Sequence, residues 1–155
     1  VAGYALDARQ GKALDEKIMR SYYKAYKKVG KIETSLAEKL GVMCYGCVYI
    51  SPGVIRHIIR RHNKQLSRNV KDNLINVIES ILKDPDYIGT KIKENNRIAI
   101  EFAKKVDSIL LLGMEVDKDE GYIYVSTLYP ITKSKIDNKI YGGKLLSCSI
   151  EQLDT

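Results

Sequence analysis

At Asp84-Pro85-Asp86 the hydrophobic period of this chain changes from about 3.6 residues to two, and that change limits the folds open to it. Before it, Val70, Leu74, Val77, Ile78 and Ile81 are spaced to line one face of a helix. After it, residues 87–93, 97–106, 108–116 and 122–129 read as four consecutive strands, separated by Glu94-Asn95-Asn96, by Asp107 and by 117–121. Connections this short imply an antiparallel meander. The expected fold is therefore α+β: N-terminal helices followed by a four-stranded antiparallel sheet, with the helices on one face and the other face open. A length of 155 residues suits one such core with an appendage.

The remaining segments are assigned around that core. Leu14, Ile18, Tyr22, Ala25 and Val29 predict a helix over 5–29, with Gly30 as its stop. Ile32, Leu36 and Leu40 continue a helical pattern that Gly41 ends, which puts a domain boundary at 41–44 and divides the chain into 1–44 and 45–155. The first helix has a thin apolar stripe, so it is a linker, a lid, or one strand of a coiled coil that would make the protein oligomeric. Residues 45–50 read as a β-branched strand, and Ser51-Pro52 as an N-cap and first position opening a helix to His62. Residues 131–139 read as a charged turn or short helix, and the tail from Lys144 as irregular.

The helix over 52–62 holds both histidines. Ile55, Ile58 and Ile59 make its apolar stripe; His62, seven residues after Ile55, returns to that stripe, whereas His57 is turned toward solvent. From residue 56 to 71 the chain carries Arg56, Arg60, Arg61, Lys64, Arg68 and Lys71 with no acidic residue, a field suited to a polyanion. The net charge of +7 is in keeping with this. On the second expected strand Ile98, Ile100 and Phe102 alternate with Arg97, Ala99, Glu101 and Ala103. On the fourth, Ile123 and Val125 alternate with Tyr122, Tyr124 and Ser126. The polar side of such a sheet, beside a basic helix, is a platform for nucleic acid, with tyrosines to stack on bases.

Three cysteines argue against a disulfide framework. Cys44 and Cys47 form a lone Cys-x-x-Cys with no further ligands at metal spacing, so no metal and no cofactor are expected. No apolar run approaches the roughly 18 residues of a membrane span, and the N-terminus lacks a signal-peptide core. A cytoplasmic or particle-associated protein is the expectation.

RNA can be cut without a metal when one group takes the 2'-hydroxyl proton, another protonates the leaving 5'-oxygen, and cations stabilise the phosphorane charge. Five residues apart on one helix, the two histidines point about 140° apart and cannot both flank one phosphate. His62 would work with another partner, Glu101 or Tyr124. Each of these residues also has a plainer reading. His62 can be a core histidine satisfied by a carbonyl, Glu101 a solvated strand carboxylate, Arg61 and Lys64 an exposed helix end, and Ser126 and Thr127 ordinary strand residues.

Two resemblances bear on the choice. Residues 4–18 resemble a segment common in bacteriophage tail, fibre and baseplate proteins. Residues 50–146 resemble the phage-encoded branch of the barnase, EndoU, colicin and RelE-like nuclease superfamily. The matching marks are Ile50-Ser51-Pro52-Gly53-Val54-Ile55 leading into Arg61-His62, then Pro85-Asp86-Tyr87-Ile88, Ile100-Glu101 with Lys104-Lys105, and 124–129. This resemblance implies a metal-independent ribonuclease, a toxin or effector associated with a phage-like particle, acting on RNA such as transfer RNA and held in check by an acidic immunity protein. It implies His62 as acid or base and Lys104, Ser126 and Thr127 as phosphate contacts, beside Glu101; Arg60, Arg61, Lys64, Tyr124 and Tyr129 are the expected RNA-binding groups. The alternatives are a non-catalytic phage tail or fibre binding module, and a DNA-binding or DNA-processing protein, the latter disfavoured because no carboxylate cluster for two-metal catalysis is present.

Overall fold

The computed structural model describes residues 26–41, 46–94, 97–117 and 122–148. In chain order they form β1 (Lys27–Ile32), α1 (Thr34–Leu40), β2 (Gly46–Ile50), α2 (Pro52–His62), α3 (Arg68–Asp72), α4 (Leu74–Lys83), β3 (Tyr87–Ile92), β4 (Ile98–Lys105), β5 (Ile109–Asp117), β6 (Tyr122–Pro130), α5 (Lys133–Tyr141) and β7 (Leu146–Ser147). The fold is α+β, and the meander from β3 to β6 is present as the period of two requires. The sheet, however, has seven strands in the order β1-β2-β6-β5-β4-β3-β7, not four, and β2 runs parallel to β6. The expected purely antiparallel four-stranded sheet is thus the centre of a larger, mixed one.

The expectation of helices before the sheet also needs correction. Of the helix expected over 5–29, residues 5–25 lie outside the described residues, but 27–32, assigned to its end, to the stop at Gly30 and to the start of the next helical pattern, is a strand paired with β2. The register skips between Lys28 and Gly30, a β-bulge that leaves Val29 unpaired. Because of the extra residue, Val29 and Ile32 both face the core, and their spacing of three imitates a helical repeat. Gly30 lies in the same bulge, where a Cβ would come within 3.0 Å of Leu82 on α4. The helix at 34–40 forms as expected and Gly41 closes it. β1 is thus built into the same sheet and core as the elements beyond the 41–44 boundary.

One face of the sheet carries the main core. Ile88, Ile100, Phe102, Leu112, Met114, Val125 and Leu128 pack there with Leu74, Val77, Ile78, Ile81 and Leu82 of α4. Ser51 caps α2 by accepting a hydrogen bond from the Val54 backbone N–H at 3.2 Å. Since β2 pairs with β6 only through Val48↔Ile123 and Tyr49↔Tyr124, the chain leaves the sheet at Ile50, and α2 packs beside the unpaired half of β6. The second face is not open along its whole length. α5 crosses it, setting Ile136 and Ile140 against Ala103, Leu111 and Tyr129. The chain then returns through buried Leu145 into β7, which pairs with β3, so the tail expected to be irregular is part of the sheet. This return passes so close to Gly89 that a Cβ there would collide with the Lys144 carbonyl and the Leu145 side chain.

Two outcomes follow from this packing. Burying Val29 and Ile32 stabilises the fold by about 1.5–3 kcal/mol each, so a chain beginning at residue 45 should melt well below one beginning at residue 26. Equal melting temperatures would show that β1 adds nothing. Gly89→Ala should destabilise by about 1–3 kcal/mol by forcing the 142–145 segment off β3, measured by urea unfolding.

Candidate active site

β6 contains a second bulge. Gly113 pairs with Thr127 while Met114 pairs with Val125, so Ser126 is the extra residue. Upstream of it Tyr122 and Tyr124 face away from the main core; beyond it the phase is shifted by one, and Leu128 enters that core while Thr127 and Tyr129 face the other side. Simple alternation would have sent Thr127 and Tyr129 into the core instead. The sequence pattern had Ser126 on the polar face, and the bulge adds these two neighbours to it.

Tyr129 meets His62 there. The two rings have centroids 5.8 Å apart and are tilted by 31°, so α2, while burying Ile58 in the main core, carries its last residue around the sheet edge to the second face. His62 Nδ1 is 2.9 Å from Gln65 Oε1. With the amide oxygen of Gln65 accepting, the hydrogen of this bond belongs to Nδ1. His57 is partly buried, not fully turned to water as expected, and its place on α2 directs it away from His62.

Across the sheet, Glu101 lies in the row Gly89–Glu101–Gly113–Thr127. Its carboxylate accepts a hydrogen bond from Lys139 Nζ at 3.1 Å, both side chains being three-quarters buried or more. Tyr129 belongs to the same electrostatic cluster. Burial, with the Glu101 charge adding and Lys139 opposing, raises its phenol above the usual tyrosine range, so at neutral pH it is a hydrogen-bond donor. Thr127 and Ser126 close over Gly113, where a Cβ would lie 2.9 Å from Thr127 Cγ2 and 3.4 Å from Ser126 Oγ. His62, Tyr129, Thr127, Ser126, Glu101 and Lys139 thus form one band across the second face.

Further along the strands Tyr124 pairs with Glu115, and Glu115 contacts Arg97 and Lys93. Arg97 also hydrogen-bonds Tyr124, and its pKa is raised by the Glu115 charge first and by Tyr124 second. Arg60, Arg61 and Lys64 are exposed around the end of α2. Lys104 is not brought to this band. It follows Ile98, Ile100 and Phe102 on the main-core side and is tied to the end of α4, donating to the Asp84 carbonyl at 2.7 Å and lying 3.3 Å from its carboxylate. The alternation that put Glu101 on the polar face already put Lys104 on the other.

Two groups of this face were missed in the sequence. Lys139 sits between Ile136 and Ile140 in the i, i+3, i+4 relation, a sign that it shares their buried helical face. Glu115 is a carboxylate inside the otherwise apolar run from Ile109 to Val116. Cys47 is buried in β2, and Cys44 lies outside the described residues. Among the described residues no group of three or more His, Cys, Asp and Glu is arranged to hold a metal ion, and no helix is long and apolar enough to cross a membrane.

A family model described as phage-Barnase-EndoU-ColicinE5/D-RelE like nuclease3 matches residues 27–138, from the first residue of β1 into α5. The match gives no support to the tail-protein likeness of residues 4–18, which precede it and lie outside the described residues. Neither the search of curated proteins nor that of solved structures returned a match. The match covers every residue of the band except Lys139, which follows its last residue, and the chain belongs to the phage-type barnase, EndoU, colicin E5/D and RelE-like nuclease family.

Proposed function

We propose that this domain is a metal-independent endoribonuclease. The observation that carries the reading is the juxtaposition of His62, in ring contact with Tyr129, with the Glu101–Lys139 pair on one polar sheet face. In the proposed reaction the Glu101 carboxylate takes the proton of the ribose 2'-hydroxyl as that oxygen attacks phosphorus. The P–O5' bond breaks, and protonated His62 gives its Nε2 proton to the leaving 5'-oxygen, leaving a 2',3'-cyclic phosphate. Lys139 and the Tyr129 hydroxyl face the phosphorane charge, with Thr127 and Ser126 as further donors. Arg60, Arg61 and Lys64 steer the RNA backbone. A toxin or effector role with a phage-like particle, structured RNA such as transfer RNA as target, and an acidic inhibitor as partner are in keeping with the phage-type family and the net charge of +7.

Purified protein with total RNA in excess chelator tests the reading. RNA fragments should end in 2',3'-cyclic phosphate, and DNA, lacking the 2'-hydroxyl, should stay intact. His62→Ala should lower the cleavage rate about 10²–10⁴-fold without unfolding the domain, and Tyr129→Phe, which keeps the ring on His62, about 10²-fold. A need for magnesium, cutting of DNA, or full activity without His62 would refute the mechanism; a folded protein that binds RNA and cuts none would favour the non-catalytic binding module.

Replacing Arg60, Arg61 and Lys64 together by Glu should weaken RNA binding and make the slope of log K against log salt shallower by roughly 3. An unchanged slope in filter-binding titrations would make the basic stretch a solvated surface only.

A further inference from the structure

The hydrogen bond between His62 and Gln65 is exposed, so it replaces bonds to water and adds little to stability. Its consequence is for the imidazole. A neutral histidine ring has two tautomers, and only the one with its hydrogen on Nδ1 can donate to the Gln65 oxygen 2.9 Å away. The other tautomer would set a nitrogen lone pair against that oxygen. In the tautomer that donates, Nε2 is the basic nitrogen, and in the imidazolium both nitrogens carry hydrogen. One side-chain oxygen thus selects which nitrogen of His62 gains and loses a proton.

The turn after α2 holds Gln65 where that oxygen must be. The backbone N–H groups of Gln65 and Leu66 both donate to the His62 carbonyl, each at 3.0 Å. In the same turn Lys71 Nζ donates to the Asn63 carbonyl at 3.1 Å and to the Asn63 side-chain oxygen at 2.9 Å. Leu66 is buried in the main core. The Ser67 hydroxyl donates to Asp107 at 2.8 Å, and its oxygen accepts from the Val70 backbone N–H at the start of α3. A turn tied down at so many points gives up little further freedom when the Gln65 side chain settles on the ring. Tyr129 holds the same ring by its face, with a tilt of 31° between the planes. Contact with a face fixes the plane of an imidazole but not its rotation by half a turn within that plane, which exchanges Nδ1 with a carbon. The bond to Gln65 distinguishes the two rotations.

We infer that Gln65 is a positioning residue for His62, holding it as the Nδ1–H tautomer and in the ring rotation that presents Nε2 for proton transfer. This rests on the ribonuclease reading and adds to it the group that selects the proton-carrying atom. Gln65 acts through His62 alone. The other charged or titratable groups about the ring are Tyr129 from β6, Glu101 and Lys139 in the electrostatic cluster of Tyr129 from β4 and α5, and Arg61 and Lys64 on the same stretch of chain. All of them stay when Gln65 is replaced, so a difference between variants at this position reports on Gln65.

Ring-nitrogen chemical shifts of His62 in the intact chain, recorded at a pH where the ring is neutral, identify the tautomer without reference to activity. The hydrogen should be on Nδ1; a hydrogen on Nε2 would mean that Gln65 offers its NH2 group instead, and overturns the assignment. Gln65→Leu keeps the bulk and removes the acceptor. It should lower kcat on RNA about 10-fold to 100-fold, leave KM nearly unchanged, and give a mixture of tautomers. Gln65→Glu keeps an acceptor and should restore most of the rate. Its carboxylate also favours the imidazolium, so the fall in rate at high pH, where His62 loses the proton it donates, should move to higher pH. A Gln65 that serves only the turn would leave tautomer, kcat and pH profile unchanged in both variants, which overturns the assignment and leaves the ribonuclease reading standing. An unaltered protein that cleaves no RNA removes both. Gln65 is exposed, so neither substitution disturbs the core, and the tautomer measurement needs no variant.

Discussion

The bulge at Ser126 is the constraint on which the candidate site depends. β6 is the one strand that belongs to both halves of the sheet, paired in parallel with β2 at its start and antiparallel with β5 along its length. A regular β6 could satisfy the main core with Ile123 and Val125, or with Leu128, but not with all three, because side chains of one face recur every second residue. One extra residue resolves the conflict. It lets Leu128 stay buried and turns Thr127 and Tyr129 to the second face, where Tyr129 becomes the surface on which His62 rests. Gly113 is part of the same solution, since the bulged partner brings Thr127 and Ser126 down over it.

The second face then has an electrostatic problem that helix α5 and the start of β4 solve. Glu101 and Glu115 both project into a partly covered surface, and each has a cation delivered from another part of the chain: Lys139 from α5 for Glu101, and Arg97 with Lys93 for Glu115. Half-buried pairs of this kind add little net stability over an apolar contact, yet removing one partner is costly because the other is left desolvated and alone. The charges are thus fixed in place by the surrounding packing. α5 is in turn held down by Ile136 and Leu145, and by the approach of the chain to Gly89, so the position of Lys139 depends on a backbone contact three strands away from Thr127.

The chain belongs to a nuclease family, and of its two histidines His62 is the one that lies against Tyr129 in the band. Helix α2 brings the His62 imidazole, the sheet brings the Glu101 carboxylate, and α5 brings the Lys139 ammonium. No two of these groups are neighbours in sequence. Their convergence comes from the order β2-β6-β5-β4, which places the end of α2 beside the far half of β6.

Much of this was determined by local sequence. The spacing of Leu74 to Ile81 makes α4, Ser51-Pro52 starts α2, and the alternation of 98–103 assigns Ile100 to the core and Glu101 to the polar face, because periodicity and capping act over a few residues. The nuclease resemblance was legible from His62, Glu101 and the 124–129 stretch in their order. What the sequence could not reveal depends on partners distant in the chain. The bulges at Val29 and Ser126 are set by registers with β2 and β5, so Val29 and Ile32 imitated a helix and Tyr129 lost its face. β7 exists only because β3 offers it an edge. Alternation already set Lys104 on the side away from Glu101, but that α4 meets it there through Asp84, and that α5 brings Lys139 to Glu101 on the other side, was decided by the packing. A period fixes which side of its own element a residue occupies; which element covers that side is settled only when the sheet has formed.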